Sequence, residues 1–184
     1  RGLAWSADGA QIASAYAGEH YQIRTWSPEG LPGTVFNGHK SSLYQVAYSP
    51  LGGQLASVSQ DGTVRLWNTD GTTAMVCNVG LHLASVAWKP DGTQLGSGCE
   101  NGTIQLWWPD GKPAALLQGH ADRATSIDWS GDGRWIASGS RDNTVRLWSA
   151  EGEPHGVFRG HFDQVTCVKW RPNSYEILSA GTDG

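Results

Sequence analysis

The 184-residue chain contains no apolar run of 18 residues and no charged-then-apolar leader, so neither a membrane-spanning helix nor a signal peptide is expected within it. Cysteine is scarce. Cys77, Cys99 and Cys167 are odd in number, lack the spacing of metal ligands and each fall inside a strand-like pattern, which reads most simply as small buried hydrophobes. Basic residues are also few and scattered: 13 Lys and Arg against 17 Asp and Glu give a formal charge of −4. Phosphate-backbone binding draws its affinity from clustered Lys and Arg, so no nucleic acid is expected as a partner. Nothing resembles a phosphate loop, a metal cluster or a kinase motif, and no cofactor or metal is expected.

What the chain does have is a period. Arg24-Thr25-Trp26, Arg65-Leu66-Trp67, Gln105-Leu106-Trp107 and Arg146-Leu147-Trp148 place tryptophans at intervals of 41, 40 and 41 residues. A second aromatic ladder, Trp5, Tyr48, Trp88, Trp129 and Trp170, runs in phase at spacings of 43, 40, 41 and 41. Between them one word returns five times: Gln11-Ile12-Ala13-Ser14, Gln54-Leu55-Ala56-Ser57, Gln94-Leu95-Gly96-Ser97, Trp135-Ile136-Ala137-Ser138 and Glu176-Ile177-Leu178-Ser179. Self-similarity at roughly 40 to 45 residues is the mark of four-stranded propeller blades.

Each repeat supplies four short alternating runs bounded by turn residues, which argues strands rather than helices. In the second repeat they are 43–48, 54–58, 63–67 and 73–78. The turns between them carry Ser-Pro-Leu-Gly, Asp-Gly or Asn-Gly chemistry, suited to tight hairpins, so the strands form an up-and-down meander. A small sheet that is apolar on both faces must stack on its neighbours, and Trp67, Trp107 and Trp148 are expected in the layers between blades.

With Gly38-His39, Gly119-His120 and Gly160-His161 ahead of the units, the pattern resembles the WD-repeat β-propeller family over essentially the whole chain. The mutual likeness of the repeats and linkers such as Asp110-Gly111-Lys112-Pro113-Ala114 are similar to recently amplified bacterial arrays of that family. The resemblance implies an all-β fold of four-stranded antiparallel blades, about four and a half in view at ~41 residues each, where closed rings hold roughly four to eight. Blade 1 is expected over about 1–37, blade 2 over 38–79, blade 3 over 80–118, blade 4 over 119–159 and a partial blade 5 over 160–184. The segment is expected to be part of a longer protein, with its ring closed by flanking sequence or by self-association.

Ser, His and Asp recur together: His39, Ser57, Asp61 and Trp67; His120, Ser138, Asp142 and Trp148; His161, Ser179 and Asp183. A hydrolase triad uses these residue types. The family resemblance instead implies a hydrogen-bonded tetrad running from Trp to Ser to His to Asp, which satisfies groups that would each cost on the order of 1 to 3 kcal/mol if buried unpaired. Two features favour the structural role. The sets repeat, and the third repeat loses both ends at once, reading Gly80-Leu81-His82 with Asn101 in place of Asp. No Gly-x-Ser-x-Gly elbow surrounds the serines, so no catalytic residue is assigned.

The resemblance further places ligands at the rim, where the residue before the turn Asp meets the segment before the first strand. Carried onto this chain, those positions are Gln60, Glu100, Arg141 and Thr182, with Glu19 in the divergent first repeat; Ser42, His82, Arg123 and Gln164; and Gln45, Ser85, Ser126 and Cys167. Their chemistry varies between repeats while the framework words stay constant. The same positions also suit plain solvated loops. Trp108 and Trp135 lie outside both ladders and read as surface packing or as exposed anchors. The expected role is a non-catalytic scaffold that binds a protein or peptide in the cytoplasm. The competing expectation is a regulatory or substrate-recruiting propeller of a multidomain signalling enzyme whose catalytic domain lies elsewhere.

Overall fold

The computed structural model describes residues 2–16 and 20–183. They form an all-β chain of eighteen strands. The first sheet holds β1 (Leu3–Trp5), β2 (Ile12–Ala15), β3 (Ile23–Trp26) and β4 (Pro32–Phe36). The second holds β5 (Leu43–Tyr48), β6 (Gln54–Ser59), β7 (Thr63–Asn68) and β8 (Thr73–Asn78). Then come β9 (Leu83–Trp88), β10 (Leu95–Cys99), β11 (Ile104–Trp107) and β12 (Pro113–Leu117), followed by β13 (Ala124–Trp129), β14 (Trp135–Ser140), β15 (Thr144–Ser149) and β16 (Pro154–Arg159). A final pair, β17 (Val165–Trp170) and β18 (Ile177–Gly181), is antiparallel like the rest. Each four-stranded sheet is ordered as in sequence, the meander expected of a blade.

Turn chemistry fixes the hairpins. The turn between β6 and β7 needs a left-handed residue, and Gly62 takes it at φ 79°; the turn between β14 and β15 puts Asn143 there at φ 65°. Asn is among the few side chains that tolerate this region. Its amide then donates to Phe162 O at 3.4 Å, a bond glycine could not make. A bulge just before each third-strand tryptophan shifts the register, between Leu66 and Trp67 and between Leu147 and Trp148. The outermost strands β4, β12 and β16 open with Pro32, Pro113 and Pro154, which lack the N–H that an intruding strand would need.

The chain divides into two compact units, Arg1–Val86 and Ala87–Gly184. In the first, Ala13, Ile23 and Phe36 of one sheet pack with Leu43, Val46, Leu55 and Trp67 of the next. Phe36 meets Trp67 edge-on with centroids 5.9 Å apart. In the second, Ile104, Leu106 and Leu117 pack against Ile127, Ile136 and Trp148, and a further layer joins Ala137 and Val145 to Val165, Val168 and Trp170. Each fully buried Val, Leu, Ile or Phe among them contributes about 1.5 to 3 kcal/mol. The two layers that hold Trp67 and Trp148 therefore lie between sheets, where a single sheet's apolar face finds its cover.

Candidate functional site

The Gly-His segment ahead of β5 brings His39 over β6 and the turn that follows it. Trp67 Nε1 donates to Ser57 Oγ at 2.8 Å, Ser57 is 2.7 Å from His39 Nε2, and His39 Nδ1 is 2.8 Å from Asp61 Oδ2. Since indole can only donate, the remaining bonds run one way: serine O–H to Nε2, and Nδ1–H to the carboxylate. Asp61 also accepts the Lys40 amide at 2.9 Å, the Thr63 amide at 3.0 Å and the Thr63 hydroxyl at 2.6 Å. In the second unit the matching distances are 2.8 Å for Trp148 to Ser138, 2.8 Å for Ser138 to His120 and 2.9 Å for His120 to Asp142. Asp142 accepts from the Ala121 amide, the Thr144 amide and the Thr144 hydroxyl.

Electrostatics agrees with a neutral imidazole. Burial pushes the pKa of both His39 and His120 below the usual value, and the hydrogen bond to the aspartate only partly opposes it. For Asp142 burial alone acts upward, but the bonds from Thr144, the Ala121 amide and His120 outweigh it and hold the carboxyl at about 2. Asp61 is depressed in the same way, burial being overcome by bonds from His39, Thr63 and the Lys40 amide. The serines are fully buried and each hydroxyl oxygen already holds an indole proton. A nucleophile must reach a substrate, and these cannot.

At the fifth repeat His161 bridges Ser179 at 2.8 Å and Asp183 at 2.9 Å, more exposed than its counterparts. The third repeat keeps only Trp107 to Ser97, at 2.9 Å; Ser97 then turns to the Gln105 carbonyl at 3.4 Å. Asn101 accepts the Thr103 amide and hydroxyl but meets no histidine among the described contacts. The first repeat behaves alike, with Trp26 on Ser14 and Ser14 on the Arg24 carbonyl.

Sequence reasoning missed an arginine that belongs to the complete sets. Arg65 lies over the Trp67 ring at 5.6 Å and Arg146 over Trp148 at 6.0 Å. Both lean on the glycine of Gly-His: a Cβ at Gly38 or Gly119 would stand 2.6 Å from the arginine Nη1 and 3.1 Å from the tryptophan Cη2. That glycine is required for space, not only for its turn. The signal was legible, because Arg65 and Arg146 occur where Gly-His is present and Gln105 where it is absent. Gln105 instead donates to the Leu106 and Ala115 carbonyls, both at 2.8 Å.

The rim candidates fall into a repeated backbone arrangement. The amide before the turn aspartate donates to the carbonyl ahead of the first strand: Gln60 to Ser42 at 2.9 Å, Arg141 to Arg123 at 3.0 Å and Thr182 to Gln164 at 3.1 Å. The structure thus brings these pairs together in the second, fourth and fifth repeats. Glu100, His82 and Arg141 are exposed, and Gln60, Arg123 and Gln164 half-buried. Gln45 and Ser126 each also accept an amide of the next first strand, Val86 N on Gln45 Oε1 and Val168 N on Ser126 Oγ, both at 3.1 Å. Ser85 is fully buried. Glu19 lies outside the described residues. Trp108 is exposed, whereas Trp135 stacks on His155 with centroids 4.5 Å apart. Among the described residues there is no group of three or more His, Cys, Asp or Glu able to hold a metal, and no helix long and apolar enough to cross a membrane.

Meandering four-stranded sheets with a buried Trp-Ser-His-Asp chain define a class of repeat protein. The family described as WD40, "WD domain, G-beta repeat", matches residues 30–68, 78–107, 111–149 and 152–184, more than half of the sequence, and the chain belongs to this family. Its repeats serve in general as non-catalytic scaffolds that bind protein partners. Similar proteins include Striatin-3 of Homo sapiens, 43% identical over 53 residues that make up 29% of this chain and 6% of that protein. Cell division cycle 20.6, cofactor of APC complex, of Arabidopsis thaliana is 36% identical over 70 residues, 38% of this chain and 16% of that protein. Probable cytosolic iron-sulfur protein assembly protein Ciao1 of Culex quinquefasciatus is 42% identical over 59 residues, 29% of this chain and 18% of that protein. The chain spans only a minor part of the length of each.

Proposed function

We propose that this chain is a non-catalytic scaffold that grips a protein or peptide through its rim, with Gln45, Gln60 and His82 presented by the first unit and Glu100, Arg123, Arg141 and Gln164 by the second. The observation that carries this reading is the constancy of the backbone at these positions against the change of side chain. One hydrogen bond recurs as Gln60 to Ser42, Arg141 to Arg123 and Thr182 to Gln164, so the same scaffold point offers an amide, a pair of guanidinium groups or a hydroxyl. A fixed frame with variable tips is how repeat proteins select partners. Arg123 and Arg141, joined in this way, suit a carboxylate or an aromatic side chain, since guanidinium pairs bidentately with the one and stacks on the other. The names of two relatives, a cofactor of a complex and an assembly protein, support association rather than chemistry as the task. A cytoplasmic address belongs to the same proposal, as does self-association of the chain.

Photo-crosslinking tests it. A photoreactive residue at position 60 or 141 is expected to trap the same protein from the native host, and an additional Arg123→Glu change to abolish capture at 141 without moving the thermal midpoint. Equal capture from a control position on β16, such as Val157, would remove the rim from the argument. Mass photometry reads self-association directly, and specific hydrolysis lost in a folded Ser138→Ala protein would overturn the non-catalytic reading.

A further inference from the structure

Where the first turns of neighbouring repeats meet, one cleft is filled by a side chain and its counterpart is not. In the fourth repeat Asp132 Oδ1 accepts the Ser130 hydroxyl at 2.6 Å and the Arg134 amide at 3.1 Å, while Oδ2 accepts the hydroxyl of Tyr175, from the fifth repeat, at 3.1 Å. A space of about 280 Å³ remains beside that tyrosine. The first repeat builds the same turn, with Asp8 Oδ1 accepting the Ser6 hydroxyl at 2.6 Å and the Ala10 amide at 3.0 Å. Asp8 Oδ2 meets no donor among the described residues. Counted from the ladder aromatics Tyr48 and Trp170, the second repeat has Gly53 where the fifth has Tyr175, and no atom lies within 4 Å of a Cβ built there. The cleft is larger accordingly, about 610 Å³, with Ala7, Pro50 and Leu51 as its apolar walls and Asp8, Gln11 and Tyr48 among its polar lining. Tyr48 does not occupy Asp8, because its own hydroxyl donates to Gln11 Oε1 at 3.3 Å.

Charge separates the two places further. In the second unit Lys89, Lys112, Arg134 and Arg171 stand in the turns at this end of the sheets and pair with Asp91, Asp110, Asp132 and Glu176. In the first unit the turns at 6–11, 27–31, 49–53 and 69–72 hold Asp8, Glu29 and Asp70 and neither Lys nor Arg. The bonds from Ser6 and the Ala10 amide hold the Asp8 carboxyl below its ordinary value, so it is an anion at neutral pH. In a meander the first and third turns share one end of the sheet, so this cleft lies at the end opposite the turn that carries Gln60.

We propose that the cleft between the first two repeats seats a tyrosine side chain of a partner polypeptide, flanked in that partner by basic residues, with the phenol donating to Asp8 Oδ2. The fourth and fifth repeats show the chemistry that such a turn accepts: a phenol on the carboxylate oxygen whose twin is held by serine. A bond from O–H to an ionised oxygen is about twice as strong as its neutral counterpart. The ring covers Leu51, which is 75% exposed, and the flanking cations meet Asp70, beside Thr69 of the lining, and Glu29 at the same end. Phenylalanine fits the walls but brings no donor, and a basic segment without the ring leaves the walls wet.

The probe is acetyl-Arg-Tyr-Arg-amide, titrated at millimolar concentration into the isotope-labelled 184-residue chain and read by amide chemical shifts. Saturable shifts centred on Gly9, Ala10, Gly52 and Gly53 are expected. Acetyl-Arg-Phe-Arg-amide is expected to bind roughly tenfold more weakly, the scale of one hydrogen bond to a charged group. Asp8→Asn is expected to weaken the tyrosine peptide to a similar degree with the thermal midpoint unchanged, because the asparagine carbonyl still accepts from Ser6 and Ala10. Asp132→Asn, where Tyr175 already holds the seat, and Arg141→Glu, at the opposite end, are expected to leave affinity as it was, so failure at the cleft and failure at the rim are separable. Absence of saturable shifts overturns the proposal, as does an Asp8→Asn chain or a phenylalanine peptide that binds as tightly. Equal binding of acetyl-Arg-Gly-Arg-amide would reduce the site to attraction between charges, and shifts at the same amides on raising protein concentration alone would give the cleft to a second copy; either result also overturns it.

Discussion

The third and fourth repeats share the same four-stranded meander, yet one carries a buried ionisable network and the other does not. In the fourth, Gly119, His120, Asp142 and Arg146 close around Trp148; in the third, Asn101 and Gln105 stand in the places of the aspartate and the arginine, and Gly-His is lost. Both keep the indole-to-serine bond, 2.9 Å at Trp107 and 2.8 Å at Trp148. The sheet itself therefore needs the Trp-Ser pair. Between these two repeats histidine, aspartate, glycine and arginine change together, because an aspartate without its histidine would be left partly desolvated; in the first repeat Arg24 persists without the aspartate and bonds to Gln22 instead.

The largest break in that comparison comes from the carboxylate. Asp142→Ala strips acceptors from His120 and from the Ala121 and Thr144 amides, and is expected to cost about 3 kcal/mol, the scale for removing one partner of a buried pair. Asn101→Ala removes only the bonds to Thr103 in an exposed turn and is expected to cost under about 1 kcal/mol. Denaturant midpoints of the two variants measure the difference. Equal midpoints would mean that the fourth repeat's network carries no more stability than the third repeat's turn.

Acid sharpens the contrast with smaller steps. The folded pKa of His39 and His120 is depressed, so on acidification the unfolded chain takes up protons first, from about pH 6.5, and stability falls from there until the folded imidazoles also titrate. A second loss begins near the ordinary aspartate value of 3.8 and continues to about 2, where folded Asp142 protonates. Replacing both His39 and His120 by asparagine is expected to remove the first stage. Midpoints followed from pH 7.5 to 3 check this; a double variant that still loses stability below pH 6.5 as steeply as the parent would assign the stage to other groups.

Much of this architecture is legible in the sequence because each repeat is a separate reading of the same rule. The strands of the second sheet, expected at 43–48, 54–58, 63–67 and 73–78, lie at 43–48, 54–59, 63–68 and 73–78, since alternation and turn residues are local signals. The spacing of Ser57, Asp61 and Trp67 is likewise local, and His39 is reached through the family resemblance. What stayed hidden depends on distance across sheets. Nothing in Gln45 taken alone says that its side-chain oxygen accepts the amide of Val86. The stacking of Arg65 on Trp67 against Gly38 becomes visible only when repeats are compared for what disappears together.

That joint disappearance makes the subtlest prediction, at the arginine. Arg146→Gln, which gives the fourth repeat the third repeat's residue, loses a cation–π contact of about 0.5 to 1 kcal/mol, but it also removes a buried Nε that has no partner. The net cost is expected to stay below about 1 kcal/mol. The reverse change is not its mirror image. Gln105→Arg breaks two bonds of 2.8 Å to the Leu106 and Ala115 carbonyls and brings a guanidinium to a repeat without a glycine to receive it, so it is expected to destabilise by about 1 kcal/mol. Midpoints for both variants decide the point. A stabilising Gln105→Arg would show that arginine acts on its tryptophan alone and that its coincidence with Gly-His is an accident of the sequence.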